Sequence, residues 1–594
     1  MPKFLSQFFV KIGGSDVARD FMDDVIEIVV DTSLYLPEMF TIQLQDPNLK
    51  WVDNGSLLEL GKEVEISVQA SEDLGSQRGV LIKGEITALE PDFSAEGDTR
   101  MLVRGYNKSH RLHRGKKTRT FLKYKDSDIV SAIAGEVGLS AQVDATTVTY
   151  DYVLQNNQTN MEFLQARAAR LGYQVFAAEG KLYFKKGEAN LGDGPELKLG
   201  EELRSFRPAL TSTHQVDKVK VLGWDPKQKQ AITGQATPNS AMNQGGIGKT
   251  GGAAAQSAYG AAEAVVTTRP VVSVAEANAL ATGLANDLSG EFIDAEGICF
   301  GNPGVKAGKR ITIKGVGTRF SGKYFVTAAS HIWNDEGYET HFTISGRQPT
   351  TISQLLQSEN GHELGLGRIN GVVIGVVTNL NDPDNLGRVK VKYPWLGDQI
   401  ESDWMRLATP MAGASRGFMY LPEVNDEVLV AFEHGDVHRP YIVGALWNGQ
   451  DKPPLQNSEA VADGKVNKRI IKSRSGHVII LDDTQNAEQI VIRDKKQANE
   501  IVIESKDDKM TIKVGKDFTV EAGAKVTIKS TGEMALDSGA SKMSLKCGSL
   551  DIQAQQSGTI KATAGLTVEG TASVTVKNGA GAKVALTGPM VNIN

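Results

Sequence analysis

Apolar and polar residues follow three different rhythms along the chain. Up to about residue 347, runs such as "VIEIVV", "FTIQLQD" and "VEISVQA" alternate with period two or are β-branched, which predicts strands. "DSDIVSAIAGEVGL" places its apolar residues at helical spacing, with Asp126, Ser127 and Asp128 available as N-terminal caps. "TNMEFLQARAARLGYQVFAAEGKLYF" predicts a helix stopped near Gly172, then two strands across a turn at Glu179-Gly180. A further helix, "SVAEANALATGLANDLSG", leads into strands that include "KRITIKG", "GKYFVTAASHIW" and "ETHFTISGR". This segment is α+β with most of its mass in sheets.

From 368 to 454 the pattern is strand and turn only: "GVVIGVVTN", "DPDNLGRVKVKYP", "WMRLATP", "DEVLVAFEHGD", "RPYIVGALW". Short strands separated by turn residues predict a small closed barrel of the oligonucleotide/oligosaccharide-binding (OB) shape.

From Val466 the grammar changes again. The 129 residues to Asn594 contain one aromatic, Phe518, and one proline, Pro589. A pair of apolar residues at i and i+2 recurs instead: Met510/Ile512, Phe518/Val520, Val526/Ile528, Met534/Leu536, Met543/Leu545, Leu550/Ile552, Leu566/Val568, Val574/Val576 and Val584/Leu586. First members step by 8, 8, 8, 9 and 7 residues before a coil in which only Ile560 stands out. Each pair makes one apolar face, and the small or charged residues between pairs let the chain turn. A single-chain β-helix needs roughly 20 residues per coil to enclose its own core. Eight residues cover one strand and one corner, so the repeat predicts three chains wrapped into a triangular prism. Its axis would be filled by Val526, Ile528, Met534, Leu536, Met543, Leu545, Cys547, Leu550, Ile552, Val574 and Val576. Cys547 then packs as a small hydrophobe rather than as a metal or redox group.

Composition removes several alternatives. The formal charge is 65 − 71 = −6, with no general pull toward nucleic acid or anionic membrane. The barrel segment itself holds 8 Lys/Arg against 11 Asp/Glu, against strand binding in a basic groove. No stretch approaches the roughly 18 apolar residues of a membrane helix. The opening "MPKFLSQFFVKIGG" has too short an apolar run for a signal peptide, and two cysteines, Cys299 and Cys547, do not make a disulfide framework. Synthesis and storage in a reducing cytoplasm are expected.

Chemical-looking motifs dissolve on inspection. In "NQGGIGKTGG" the phosphate-loop spacing puts Asn243 where the first glycine belongs, and no apolar strand precedes it. Residues 228–262, with 7 Gly, 9 Ala and 5 Gln in 35, are expected to be a flexible surface insertion. His434 and His438 have HxxxH spacing but flank a Gly435-Asp436 turn instead of lying on a helix, so no zinc site is expected. "GHELG" lacks the second His of a metalloprotease helix. No catalytic constellation, cofactor site or metal site is expected. "KSHRLHRGKKTRTFLKYK" carries 8 Lys/Arg and no acid in 18 residues, either a solvated strand and loop or an electrostatic contact through Arg111, Arg114, Lys116, Lys117 and Arg119.

Together, "NNQTNMEFLQARAARLGYQVFAAEGKLYF", "VKVLGWDPKQKQAI", "FSGKYFVTAASHIWNDEGYETHFTISGR", "DPDNLGRVKVKYPWLG", "GFMYLPEVNDEVLVAFEHGDVHRPYIVGALWNGQDKPP" and the repeat resemble the VgrG-type central spike of contractile injection systems. The likeness departs at Asn160-Met161, where the family commonly has an acidic-aromatic pair. It extends to type VI secretion machines, extracellular phage-tail-like particles, prophages and the hub and spike of contractile phages.

The resemblance implies a mainly β fold. A late control D-like hub (1–367) would hold two similar β-barrel-like subdomains, followed by an OB barrel (368–454), a linker (455–465) and a triple-stranded β-helix (466–594). It implies a homotrimer seated on a hexameric Hcp-like inner tube and baseplate, crossing a target membrane only transiently while delivering toxin effectors. A PAAR-type tip protein would cover Val591, Asn592, Ile593 and Asn594. A spike of this kind needs no catalytic residue. Two competing readings are a polysaccharide-acting β-helix enzyme, with Asp482, Asp483, Glu504, Asp507 and Asp508 as its nearest approach to clustered carboxylates, and an adhesive fibre with an OB binding module.

Overall fold

A computed structural model describes residues 6–69, 78–95, 97–186, 191–225, 228–238, 245–271, 273–346, 368–397, 400–577, 579 and 584–592. The chain divides into two units, Met1–Gln456 and Asn457–Asn594.

In the first unit, alternation produces one long ladder. Eleven strands hydrogen-bond in the order 203–210, 293–300, 337–344, 328–334, 25–33, 39–45, 100–106, 78–92, 63–69, 7–12, 15–16. Met39–Gln45 shows how this arises, since its alternate residues Phe40, Ile42 and Leu44 are fully buried. Two hydrophobic cores lie along this ladder, the second shared with strand Arg310–Lys314 of a separate three-stranded sheet. One gathers around Phe8, Ile28, Phe40 and Val103, the other around Leu203, Ile293, Ile311 and Phe342. They are stitched by antiparallel pairing of Ala328–Asn334 with Val25–Ser33, from Ala328 opposite Ser33 to Trp333 opposite Ile28.

The helical layer has explicit local causes. Helix Asn160–Leu171 starts with a capping box, in which Thr159 Oγ accepts from the Glu162 N–H while Glu162 accepts from the Thr159 N–H. It stops at Gly172, which has φ +67°. A Cβ there would also meet Gly283 Cα of helix Val274–Gly290 at 2.8 Å, so the two helices cross at a pair of glycines. Strands Tyr173–Ala178 and Lys181–Lys186 follow, turning through Glu179 (φ 51°) and Gly180 (φ 72°) as expected.

Two expectations are corrected here. Asp126 does not cap helix Asp126–Glu136, whose N-cap is Lys125 without a side-chain bond. Its carboxylate instead receives Arg167 Nε at 2.6 Å and Nη2 at 3.1 Å, with both side chains buried, because a guanidinium in the interior needs a carboxylate more than a helix end does. The described residues of the 228–262 stretch, 228–238 and 245–262, are also more ordered than their composition suggests. Gln230–Ala236 pairs with Lys218–Asp225, and Gly251–Tyr259 forms a helix capped by Thr250. Small side chains are what allow this helix to dock: a Cβ on Gly252 would lie 2.4 Å from Val216 O.

The barrel orders its strands as 390–392, 372–379, 427–432, 440–445, 406–407, around Val377, Val391, Met405, Val430 and Ile442.

In the second unit, residues assigned by pattern to the prism form something else first. Lys468–Lys472, Val478–Asp482, Gln489–Arg493, Glu500–Glu504 and Lys509–Lys513 make a five-stranded antiparallel meander. Their spacing of about ten residues, against eight later, leaves enough chain for each strand to turn back on its neighbour. Beyond Lys513 the described residues carry no strand within a single chain.

Candidate functional site

One strand joins the hub to the barrel. Among the described residues Thr149–Gln158 pairs only with Lys117–Lys125, and Tyr152 through Asn156 are all buried. Because neighbours on a strand face opposite ways, Val153 enters the hub core while Tyr152 and Leu154 complete the barrel core.

A charge network closes over this strand. Arg170, in the last turn of its helix, reaches Asp436 at 3.0 Å on the barrel and Glu276 at 3.0 Å at the start of helix Val274–Gly290. Arg439 lies 3.7 Å from the same Glu276. His438 Nδ1 stands 3.1 Å from Asp436 Oδ1, and its Nε2 accepts the Leu154 backbone N–H at 3.1 Å. Burial pushes the His438 imidazole below its ordinary range against the pull of Asp436. Burial works to raise Asp436, but the His438 hydrogen bond and the Arg170 charge hold its carboxyl far below the carboxylate range. A cavity of about 100 Å³ adjoins the network, walled in part by Phe163, Arg167, Arg170, Leu280 and Val437.

His434 and His438 therefore do not act together. His434 is exposed in the turn Glu433–Gly435 with φ 50°, whereas His438 is spent in the joint. Among the described residues no group of three or more His, Cys, Asp or Glu could hold a metal. Thr250 caps a helix through the Ala253 N–H at 3.3 Å, and "GHELG" lies outside the described residues. The acidic group is dispersed. Asp482 accepts from the Thr484 N–H at 3.0 Å, Asp483 pairs with Arg469, and Glu504 pairs with Lys509 at 2.9 Å.

The basic segment is partly neutralised internally. Arg111 binds Glu85 at 2.6 Å, Lys117 binds Glu136 at 2.9 Å, and Arg119 binds Gln155 at 2.8 Å and also pairs with Glu136. Arg114 and Lys116 are exposed and have no ion pair among the described residues.

The second unit presents apolar surface instead. Register aligns Ile471, Ile479, Ile492, Ile501 and Ile512 in one row across the meander, and Leu481, Ile490, Ile503 and Met510 in the next. Eight of these nine are 39–58% exposed. The opposite face carries a row of Ile470, Ile480, Val491 and Val502, with Val491 buried, flanked by Arg493–Glu500 and Lys509–Glu504 pairs across strands.

The proposed axis residues continue this exposure. Val526, Met534, Met543, Leu550 and Val574 are 49–61% exposed; Ile528, Leu536, Leu545, Ile552 and Val576 are 69–77% exposed; Cys547 is exposed as well. Val591 is half-exposed, Asn592 is exposed, and Ile593 and Asn594 lie outside the described residues.

Sequence reasoning missed the joint: Tyr152, Leu154, Arg170, Glu276 and Asp436. Its one trace was "YVLQNN", where apolar and amide residues occupy both faces of a strand.

Comparison with known proteins places these features. Residues 4–335 match the family described as the Alg8 N-terminal domain, and residues 373–447 match the type VI secretion system/phage-baseplate injector OB domain. The type VI secretion system spike protein VgrG2a of Pseudomonas aeruginosa is 30% identical over 105 residues, 17% of this chain and 12% of that protein. The actin cross-linking toxin VgrG1 of Vibrio cholerae is 28% identical over 158 residues, 26% of this chain and 14% of that protein. Each match thus spans about an eighth of the relative. An E. coli type VI secretion system component, itself structurally similar to the T4 bacteriophage tail proteins gp27 and gp5, is 15% identical with a TM-score of 0.46, covering 74% of this chain and 99% of its own.

Proposed function

The chain belongs to the Alg8 N-terminal domain family, and on that premise we propose that it is the VgrG-type structural spike of a contractile injection system, working as a homotrimer. The observation that carries this reading is the apolar sheet face from Ile471 to Ile512 continued by the exposed repeat: a single chain leaves both uncovered. Three copies related by a closed rotation would turn these faces toward one axis and pair the strand edges of the repeat between chains.

The hub seats on the hexameric Hcp-like inner tube and baseplate, with Arg114 and Lys116 as the basic groups available for acidic partners. A PAAR-type tip protein sits at Val591 and Asn592, and toxin effectors travel with the particle. The spike is no enzyme: its work is mechanical and is driven by the machine around it. The cross-linking activity of the Vibrio relative is assigned to that protein, of which only 14% is matched. No observation favours the polysaccharide-acting enzyme or the adhesive fibre.

Light scattering on the full-length protein tests the proposal. A particle of about three times 63.9 kDa is expected. A well-folded monomer would overturn it.

A further inference from the structure

We propose that the joint between hub and barrel is a proton-operated latch, closed while His438 is neutral and released when it takes a proton. The geometry fixes the tautomer. A backbone N–H can only donate, so the His438 nitrogen 3.1 Å from Leu154 N must offer a lone pair. The proton then resides on Nδ1, facing Asp436 Oδ1 at 3.1 Å. Protonating Nε2 sets two donors against each other and removes the hydrogen bond that holds the outer edge of strand Thr149–Gln158 to the barrel. That strand supplies Tyr152 and Leu154 to the barrel core, so the lost contact lies at the centre of the joint.

The charges around His438 come from every element packed there. Helix Asn160–Leu171 contributes Arg167, paired with Asp126, and Arg170. Helix Val274–Gly290 contributes Glu276. The barrel contributes Asp436, Arg439 and Glu433, the last accepting from Tyr441 Oη at 3.0 Å. Arg269 and Arg368 line the adjoining cavity. Asp436 favours a second proton, but its carboxylate is already shared with Arg170, and the buried Nε of Arg439 has no hydrogen-bond partner among the described residues. Guanidiniums so close disfavour another cation.

The sign follows. Burial holds the docked imidazole below its ordinary 6.5, while the undocked one titrates near that value. Above about pH 6.5 both states are neutral and pH has no effect; below it the open state takes up a proton first, favouring opening about tenfold per pH unit down to the docked value. The latch lies within one chain, 149–158 against 433–439, and holds whether or not three chains assemble.

Amide hydrogen exchange on the full-length protein, corrected for the intrinsic pH dependence of exchange, reads it directly. Protection of segment 149–158 should fall up to about tenfold per pH unit below about 6.5. His438→Gln keeps an acceptor for the Leu154 N–H without titrating, and its protection should stay flat. Equal acid loss in H438Q, or a flat wild type, overturns the latch. Should H438Q not fold, the imidazole titration of wild-type His438 by NMR serves instead. Its midpoint must lie below 6.5, with Leu154 protection falling between about pH 6.5 and that midpoint and levelling off below it; protection that does not change across that range overturns the proposal.

Discussion

Ile442 and Ile492 sit in strands of similar length and alternation, Pro440–Ala445 and Gln489–Arg493, yet the first is fully buried and the second 46% exposed. The barrel strand meets a second layer from its own chain, including Tyr152 and Leu154. The face of the meander strand that carries Ile492 meets none, while Val491 on its other face is buried. Alternation creates a face; only a second layer creates a core. Fully burying an aliphatic side chain stabilises by roughly 1.5–3 kcal/mol, so the eight half-exposed ones leave on the order of 10 kcal/mol per chain unrealised in the monomer.

The sharpest way to break this contrast is a charge on the open face. Ile492→Asp would place one carboxylate per chain in the proposed trimer core, costing several kcal/mol each, and should reduce the particle to single chains in light scattering while thermal unfolding of the first unit stays unchanged. An unaltered trimer mass would show that this face is not the interface.

The converse test weakens the first unit alone. Arg167→Met leaves the Asp126 carboxylate buried without its partner, an expected loss of about 3–5 kcal/mol in denaturant unfolding. Trimer mass should be unaffected, and adding Asp126→Leu should restore part of the loss. The smallest effect is Thr159→Ala, which removes half of the capping box for about 1 kcal/mol, read as a small drop in the unfolding midpoint of the first unit.

Legibility varied with the range of the cause. Helix Asn160–Leu171, its stop at Gly172 and the turn at Glu179-Gly180 could be read because their causes lie within a few residues. The docking of Gly251–Tyr259 could not: its cue was an absence of side chains, which composition alone does not distinguish from disorder. Nor could the role of Asp126, since its partner Arg167 is 41 positions away. His438 was visible as a histidine near a turn, but Leu154 lies 284 positions from it.

What the sequence determined by itself was periodicity: a mainly β chain, a turn-rich barrel, and a repeat too short to close on itself. Those follow from side-chain spacing, which the local backbone enforces. Only the tertiary structure decided which periodic faces find a partner within the chain. It passed one hub strand into the barrel core, made His438 the neutral acceptor at that crossing, and left the face from Ile471 to Ile512 open. Burial is a property of two surfaces brought together, and the second is written far away in the chain or in another copy of it.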